Sequence, residues 1–247
     1  MWIEVFTGLR ADRVARLLLA VRERGGEHPR MERPWRLPLA ERVLLVAVYY
    51  RTNLTMQQPA VLFGVCPATV CRTIQQVGPP ASLEPAPRPE GAVERLRIVD
   101  GTLIPVHDRT LAASSRNYRF SANVQVVIDA DTRLVVATAP PAAGNIADAH
   151  AFRDTGPAQV CAGITVLADG AYAGTGLVIP HRRRGKRPLL PIQEADNAEH
   201  RKVRARVEHT FARMKDYKIL RDCRQRGDGL HHAVQAVARM YDLALAT

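Results

Sequence analysis

Between Gly78 and Glu94 the chain carries Pro79, Pro80, Pro85, Pro87 and Pro89. Each proline fixes its own φ and lacks an amide donor, so this stretch cannot be a regular helix or a central strand. It reads as a linker over residues 79–95, dividing the chain into a helical module at 1–78 and a larger domain at 96–247. At 247 residues the chain can bury a sizeable core.

Ahead of the linker the apolar residues recur at helical spacing. Val14, Leu17, Leu18 and Val21 predict a helix over Ala11 to Arg24, stopped by Gly25 and Gly26, and Leu39 to Tyr50 predicts a second, more buried one. Leu54 to Val77 then has the punctuation of a helix-turn-helix. Thr55 and Gln58 form a capping-box pair, Gly64 can supply the turn, and Pro67 sits where a second helix would begin. With Val70, Ile74 and Val77 facing inward, Ala68, Thr69, Arg72, Thr73 and Gln76 are expected outward, a small, polar and basic surface suited to the major groove of DNA. A plain helical hairpin fits the same residues.

Beyond the linker the period changes to that of strands. Arg97 to Asp100 and Leu103 to Val106, separated by Gly101 and Thr102, are expected to form a strand pair. Asn123 to Asp129 and Leu134 to Ala139 follow around a hairpin turn at 130–133. A short helix is expected over Ile146 to Arg153, a strand over Ile164 to Ala168, and helices over about 197–217 and from about 230 onward. The predicted class is α/β (α+β), a mixed sheet flanked by helices and preceded by a small all-α helix-turn-helix domain.

Charge narrows the partner. The formal net charge is +11, and His181 to Arg226 alone holds fifteen Lys and Arg against six Asp and Glu. That clustering points to a polyanion, nucleic acid foremost, with Arg182, Arg183, Arg184, Lys186 and Arg187 as candidate contacts to the backbone of double-stranded DNA or, alternatively, a solvated basic loop. No window is long and apolar enough for a membrane span and no signal core is visible, so a cytoplasmic location without membrane contact is expected. Cys66, Cys71, Cys161 and Cys223 lack zinc or CxxC spacing and are expected to be reduced and mostly buried.

Against this basic background three acids stand out. Asp100 and Asp169 each end an apolar strand run just before Gly, and Glu208 lies in the amphipathic stretch RARVEHTFARMK, whose apolar stripe is Val203, Val207, Phe211 and Met214. Singly, each has an ordinary explanation: a turn for either Asp, an ion pair with Arg204 for the Glu. Together, three converging carboxylates would need a divalent cation to neutralise them, and two Mg²⁺ ions about 3.5–4 Å apart would serve in-line phosphodiester chemistry. That role requires Glu208 to approach both aspartates.

The ordered set IVDGT (98–102), SANVQVVID (121–129), LADGAYAGTGL (167–177) and HRKVRARVEHTFARMK (200–215) resembles the DDE transposases of the IS5-like insertion-sequence group. The resemblance implies a ribonuclease-H-like core. It also implies a metal-binding catalytic triad of Asp100 on the first strand, Asp169 after the fourth and Glu208 on a following helix, holding two Mg²⁺ ions with Mn²⁺ as a substitute. Cleavage at transposon terminal inverted repeats and strand transfer into target DNA would follow, in a homodimer or larger synaptic complex. Arg204 and Lys215 match the family's helix signature and would contact DNA phosphates. Arg201 stands where related groups carry Tyr, and Ala171 and Ala173 replace residues more often Gly and Gln. Asp148 falls where similar proteins often carry an acid, although a helix-start role fits it equally; Asp129 and Asp131 are assigned to the hairpin. His150, His181 and His209 are not required by two-metal chemistry. A nuclease without strand transfer and an inactive DNA-binding regulator are the alternatives.

Overall fold

The computed structural model describes residues 2–27, 34–82, 95–118, 120–183, 185 and 187–246. Most of the Pro-rich linker, with Arg184 and Lys186 of the basic loop, lies outside these residues. The chain forms two compact units, one of Met1–Glu84 with Met214–Thr247 and one of Pro85–Arg213.

The helical unit is built round α3 (Leu39–Thr52), in which Val43, Leu45, Val46, Ala47, Val48, Tyr49 and Tyr50 are all buried. A helix covered on nearly every side needs no polar face, which is why its sequence shows so little amphipathic pattern. It packs against α1 (Trp2–Thr7), which no periodicity foreshadowed, and against α2 (Ala11–Glu23). Next comes α4 (Gln57–Leu62), then α5 (Pro67–Val77), joined through Gly64 at φ +62°. The capping pair forms as expected, with the Thr55 amide donating to Gln58 Oε1 at 2.9 Å.

Residues 214–247 belong to this helical unit, a division different from the linear scheme in which 96–247 forms one domain. After a 3₁₀ turn at Lys218–Leu220, Asn53 Nδ2 donates to the Asp222 carbonyl at 2.7 Å, Arg224 donates to Asn53, and Gln225 Nε2 donates to the Tyr49 hydroxyl at 2.7 Å. The last helix of the described chain, here α9 (Gly229–Leu245), buries Leu230, Ala233, Val234, Val237 and Met240. Its apolar stripe was visible in the sequence; the surface that covers it was not.

In the other unit, β1 (Arg97–Pro105) and β2 (Ser121–Asp129) pair antiparallel along their whole length. The expected strand pair within 97–106 is therefore corrected: Gly101 and Thr102 continue one strand and make no turn. Gly101 lies opposite Gln125, and a Cβ there would run into the Asp148 carboxylate and come within 2.6 Å of Gln125 Nε2. Close approach by neighbouring side chains, not a reversal, accounts for the glycine.

From β2 the chain turns through a hairpin in which Asp129 Oδ1 accepts from the amides of Asp131 and Thr132, then enters β3 (Val135–Thr138) and the two-residue β4 (Ala142–Ala143). Two helices follow, α6 (Asp148–Asp154) and α7 (Pro157–Val160), then β5 (Val166–Leu167) and α8 (Pro191–Met214). Strand β5 runs parallel to β1, giving the mixed order β3-β2-β1-β5 with β4 off that path, so β5 is the fourth strand along it. This is the ribonuclease-H-like arrangement. On one side of the sheet Val99, Val127, Phe152, Cys161, Val166, Ala168 and Tyr172 form its core. Among the described residues no helix is long and apolar enough to cross a membrane.

Gly101→Ala is expected to destabilise the protein by about 1–3 kcal/mol, the usual scale for overpacking. Urea unfolding followed by far-UV circular dichroism measures it.

Candidate functional site

Register sets up the site. Strands β1 and β5 are parallel with Ile98 beside Leu167, so Asp100, two residues on within β1, and Asp169, two residues past Leu167 and just beyond the end of β5, come close enough for the charge of Asp169 to act on Asp100. Asp100 lies on the face of β1 opposite to that of Val99 and Gly101, since successive strand residues alternate. Its Oδ2 accepts from Arg204 NH2 at 2.7 Å, with both side chains only about 15% exposed. Burial pushes the Asp100 carboxyl up to about 6, against the lowering effect of Arg204, and the negative charge of nearby Asp169 adds to the rise. Asp169 caps the 3₁₀ turn Gly170–Tyr172, its Oδ1 accepting from the Ala171 amide at 2.8 Å. That bond uses backbone, so it does not depend on the side chain at position 171.

The long helix α8 is tied down by polar side chains three or four residues apart. Asn197 makes two bonds to the backbone of His181, at 2.8 and 3.0 Å, and His200 Nε2 donates to the Val178 carbonyl at 3.2 Å. Arg204 follows on Asp100, and Arg206 NH1 donates to the Ala130 carbonyl at 2.5 Å. Val207 is fully buried beneath the next turn. None of these tethers was legible in a sequence read for apolar stripes. Three of them, at 197, 200 and 204, nevertheless have the spacing of a helix face.

Glu208 stands one turn beyond Arg204 and is exposed, with no hydrogen bond or ion pair among the described residues. The intrahelical Arg204–Glu208 pair therefore does not form; Arg204 is engaged with Asp100 instead, where a DNA-phosphate contact was expected of it. Among the described residues no group of three or more His, Cys, Asp and Glu side chains is placed to hold a metal ion. The structure thus brings Asp169 near Asp100, while Glu208 is bonded to neither among the described residues.

Of the remaining candidates, Arg182 lies beside the Asp169 turn, where a Cβ on Gly170 would sit 2.7 Å from its NH2. Arg183 is exposed. His181 pairs with Asp196 at 3.1 Å, and His150 and His209 are exposed. Lys215 lies just past the end of α8, where burial and then Arg221 lower its pKa. Asp148 is the first residue of α6 but does not cap it; its Oδ1 accepts from Asn123 Nδ2 at 2.7 Å and Gln125 Nε2 at 3.0 Å. The cysteines are free as expected, but only Cys161 and Cys223 are buried, and Cys66 is exposed.

In the helical unit, α5 presents Ala68, Arg72 and Gln75, with Thr69 half-buried. Thr73 and Gln76 are corrected from the outward set: both are buried, and Gln76 Oε1 accepts from the buried Arg42 at 2.9 Å. Helical geometry explains it, because position 73 lies between Val70 and Val77 on the inward stripe. Gln75 was missed although its spacing from Ala68 and Arg72 marks the outer face. Arg72 lies along the helix, its NH2 donating to Thr69 Oγ1 at 3.2 Å.

A mixed sheet with two aspartates brought near each other by adjacent parallel strands, together with a helix-turn-helix module, defines a DNA-processing enzyme of the ribonuclease-H-like class. Residues 91–243 match the family described as "Transposase DDE domain", and residues 35–79 match "Helix-turn-helix of DDE superfamily endonuclease". The chain belongs to the DDE transposase family. It is 52% identical over 245 residues to the putative transposase for insertion sequence element IS112 of Streptomyces albus G, an alignment covering 99% of this chain and 95% of that relative. No solved structure matches. The domains make it a DNA-binding enzyme of insertion-sequence type whose chemistry uses a divalent metal.

Arg204→Ala removes a positive charge that favours ionised Asp100, so the Asp100 midpoint is expected to move above about 6 and a larger fraction to be protonated at pH 7. A ¹³C-carboxyl NMR titration of the metal-free protein reports it; an unchanged or lowered midpoint would contradict the ion pair.

Proposed function

We propose that this transposase cleaves phosphodiesters at the terminal inverted repeats of its element and joins the freed 3′-hydroxyl to target DNA. Asp100 and Asp169 would be metal ligands and Glu208 their third partner. The observation that carries this is the parallel β1–β5 pairing, which brings Asp169 near Asp100, whose ionisation its charge opposes. Their oxygens are hard donors, suited to Mg²⁺ or Mn²⁺ and not to a metal that prefers sulfur or nitrogen. When bound, two such ions would supply an activated water or 3′-hydroxyl and neutralise charge on the leaving oxygen.

The protein's own residues do the rest. Arg204 holds Asp100 in place and must leave its Oδ2 for that oxygen to become a ligand. Glu208, unpaired and exposed on the same helix, is available to complete the acid set. Arg182, beside the Asp169 turn, together with Arg183, Arg184 and Lys186, would carry backbone phosphates, as would Lys215. Arg72 and Thr69, with Gln75 in place of Thr73 and Gln76, would read the major groove. Two DNA ends must be paired, so a dimer or larger complex on DNA is inferred, acting in the cytoplasm.

With Mg²⁺ or Mn²⁺ and DNA bearing the element's own ends, the protein should nick and join; nicking without joining would favour a simple nuclease. Asp100→Asn, Asp169→Asn and Glu208→Gln should each lower cleavage on the order of 10²-fold or more, the scale of removing a group that stabilises transition-state charge, with gel-shift affinity retained. Unchanged cleavage would remove that residue from the triad.

For the helix-turn-helix, Arg72→Ala should weaken sequence-selective binding by about tenfold, the lower part of the range for a base-reading contact. Competition gel shifts against unrelated DNA measure this, and unaltered selectivity would count against α5 as the reading helix.

A further inference from the structure

We infer that Asp148 is a positioning residue for Asp169, acting through Gln125 and Tyr172. Asp169 sits at the head of a three-residue 3₁₀ turn whose last member, Tyr172, is wholly buried with its ring edge-on to Phe152 at 5.9 Å. Tyr172 also receives Thr175 Oγ1 on its carbonyl at 2.6 Å and donates its amide to the Asp169 carbonyl at 3.2 Å. Its hydroxyl ties this turn sideways to the middle of the sheet, by donating to Gln125 Oε1.

What keeps the Gln125 amide turned that way lies on its other side. Gln125 is 1% exposed, and its Nε2 donates to Asn123 Oδ1 and Asp148 Oδ1, each at 3.0 Å. Asn123 Nδ2 in turn donates to Asp148 Oδ1 at 2.7 Å and to the Ile146 carbonyl at 3.1 Å. A carboxylate only accepts, so it selects the amide orientation that points nitrogen towards it and oxygen towards Tyr172. Reversing the amide would set its oxygen against the Asp148 carboxylate and the Asn123 oxygen. Burial, reinforced by the charges of Asp148, Asp100 and Asp169, keeps the Tyr172 phenol protonated and therefore able to donate.

The chain Asp148, Gln125, Tyr172 thus transmits one donor-acceptor direction from the start of α6, under β1 at Gly101, to the turn that aims Asp169. Gly101 is part of the device, since any side chain there would displace both Asp148 and Gln125. Asp148 works by accepting hydrogen bonds and is not itself a ligand. Its consequence for catalysis rests on the proposed role of Asp169; the ordering of the turn does not.

The test uses the full-length protein without metal or DNA, with hydrogen exchange of the 169–175 segment followed by mass spectrometry. Asp148→Ala and Tyr172→Phe should each speed exchange there by about tenfold, the equilibrium equivalent of one buried hydrogen bond. Asp148→Asn should restore near wild-type protection, because its carbonyl can still accept from Asn123 and Gln125. Mn²⁺ affinity by calorimetry should fall in the first two variants and be kept in the third, and cleavage should lose kcat with KM for DNA unchanged. If Asp148→Asn behaves like Asp148→Ala, the carboxylate acts by its charge and the proposal is overturned. Unchanged exchange in Tyr172→Phe overturns it as well, and decides the matter if Asp148→Ala fails to fold. Should exchange respond as expected while the wild-type protein cleaves no DNA, the transposition mechanism fails and this device stands.

Discussion

A carboxylate that is buried without a counter-charge is among the most expensive things a protein can hold. Asp100 is mostly buried, with a second acid nearby, and Arg204 is the group that makes the arrangement tolerable. Much of the catalytic unit can be seen as holding that guanidinium in place. Arg204 must reach the sheet from a helix, so α8 is fastened through Asn197 and His200 before it and Arg206 after it. Each tether ends on a backbone carbonyl, which lets the strands and loops beneath vary in side chain without releasing the helix.

The acids themselves were legible because chemistry restricts their surroundings. An Asp at the end of an apolar run, followed by Gly, appears twice, and the parallel pairing of β1 with β5 brings the two near each other. The boundary between one strand and two was not legible at Gly101, because glycine marks a turn and a crowded strand alike; only the presence of Asp148 and Gln125 above it separates the cases. Thr73 and Gln76 show the opposite failure. Their polarity was allowed to outweigh their position on the inward face of α5, and a buried arginine supplied the partner that makes Gln76 tolerable inside.

Glu208 marks the limit of spacing arguments. One turn of helix separates it from a residue that does touch Asp100, yet it remains in solvent. A third carboxylate beside two others would make each of them harder to ionise, and an unpaired carboxylate is best hydrated in solvent.

The helical unit is discontinuous in sequence, its final helix arriving after the whole catalytic unit. On the ribosome this fixes an order of events. The surface of α3 and the Tyr49 hydroxyl wait for residues 214–247, so the DNA-reading module reaches its finished packing only once the catalytic sheet has been synthesised. A truncated nascent chain would therefore lack the complete reader, and binding competence would come with enzymatic competence in the same molecule.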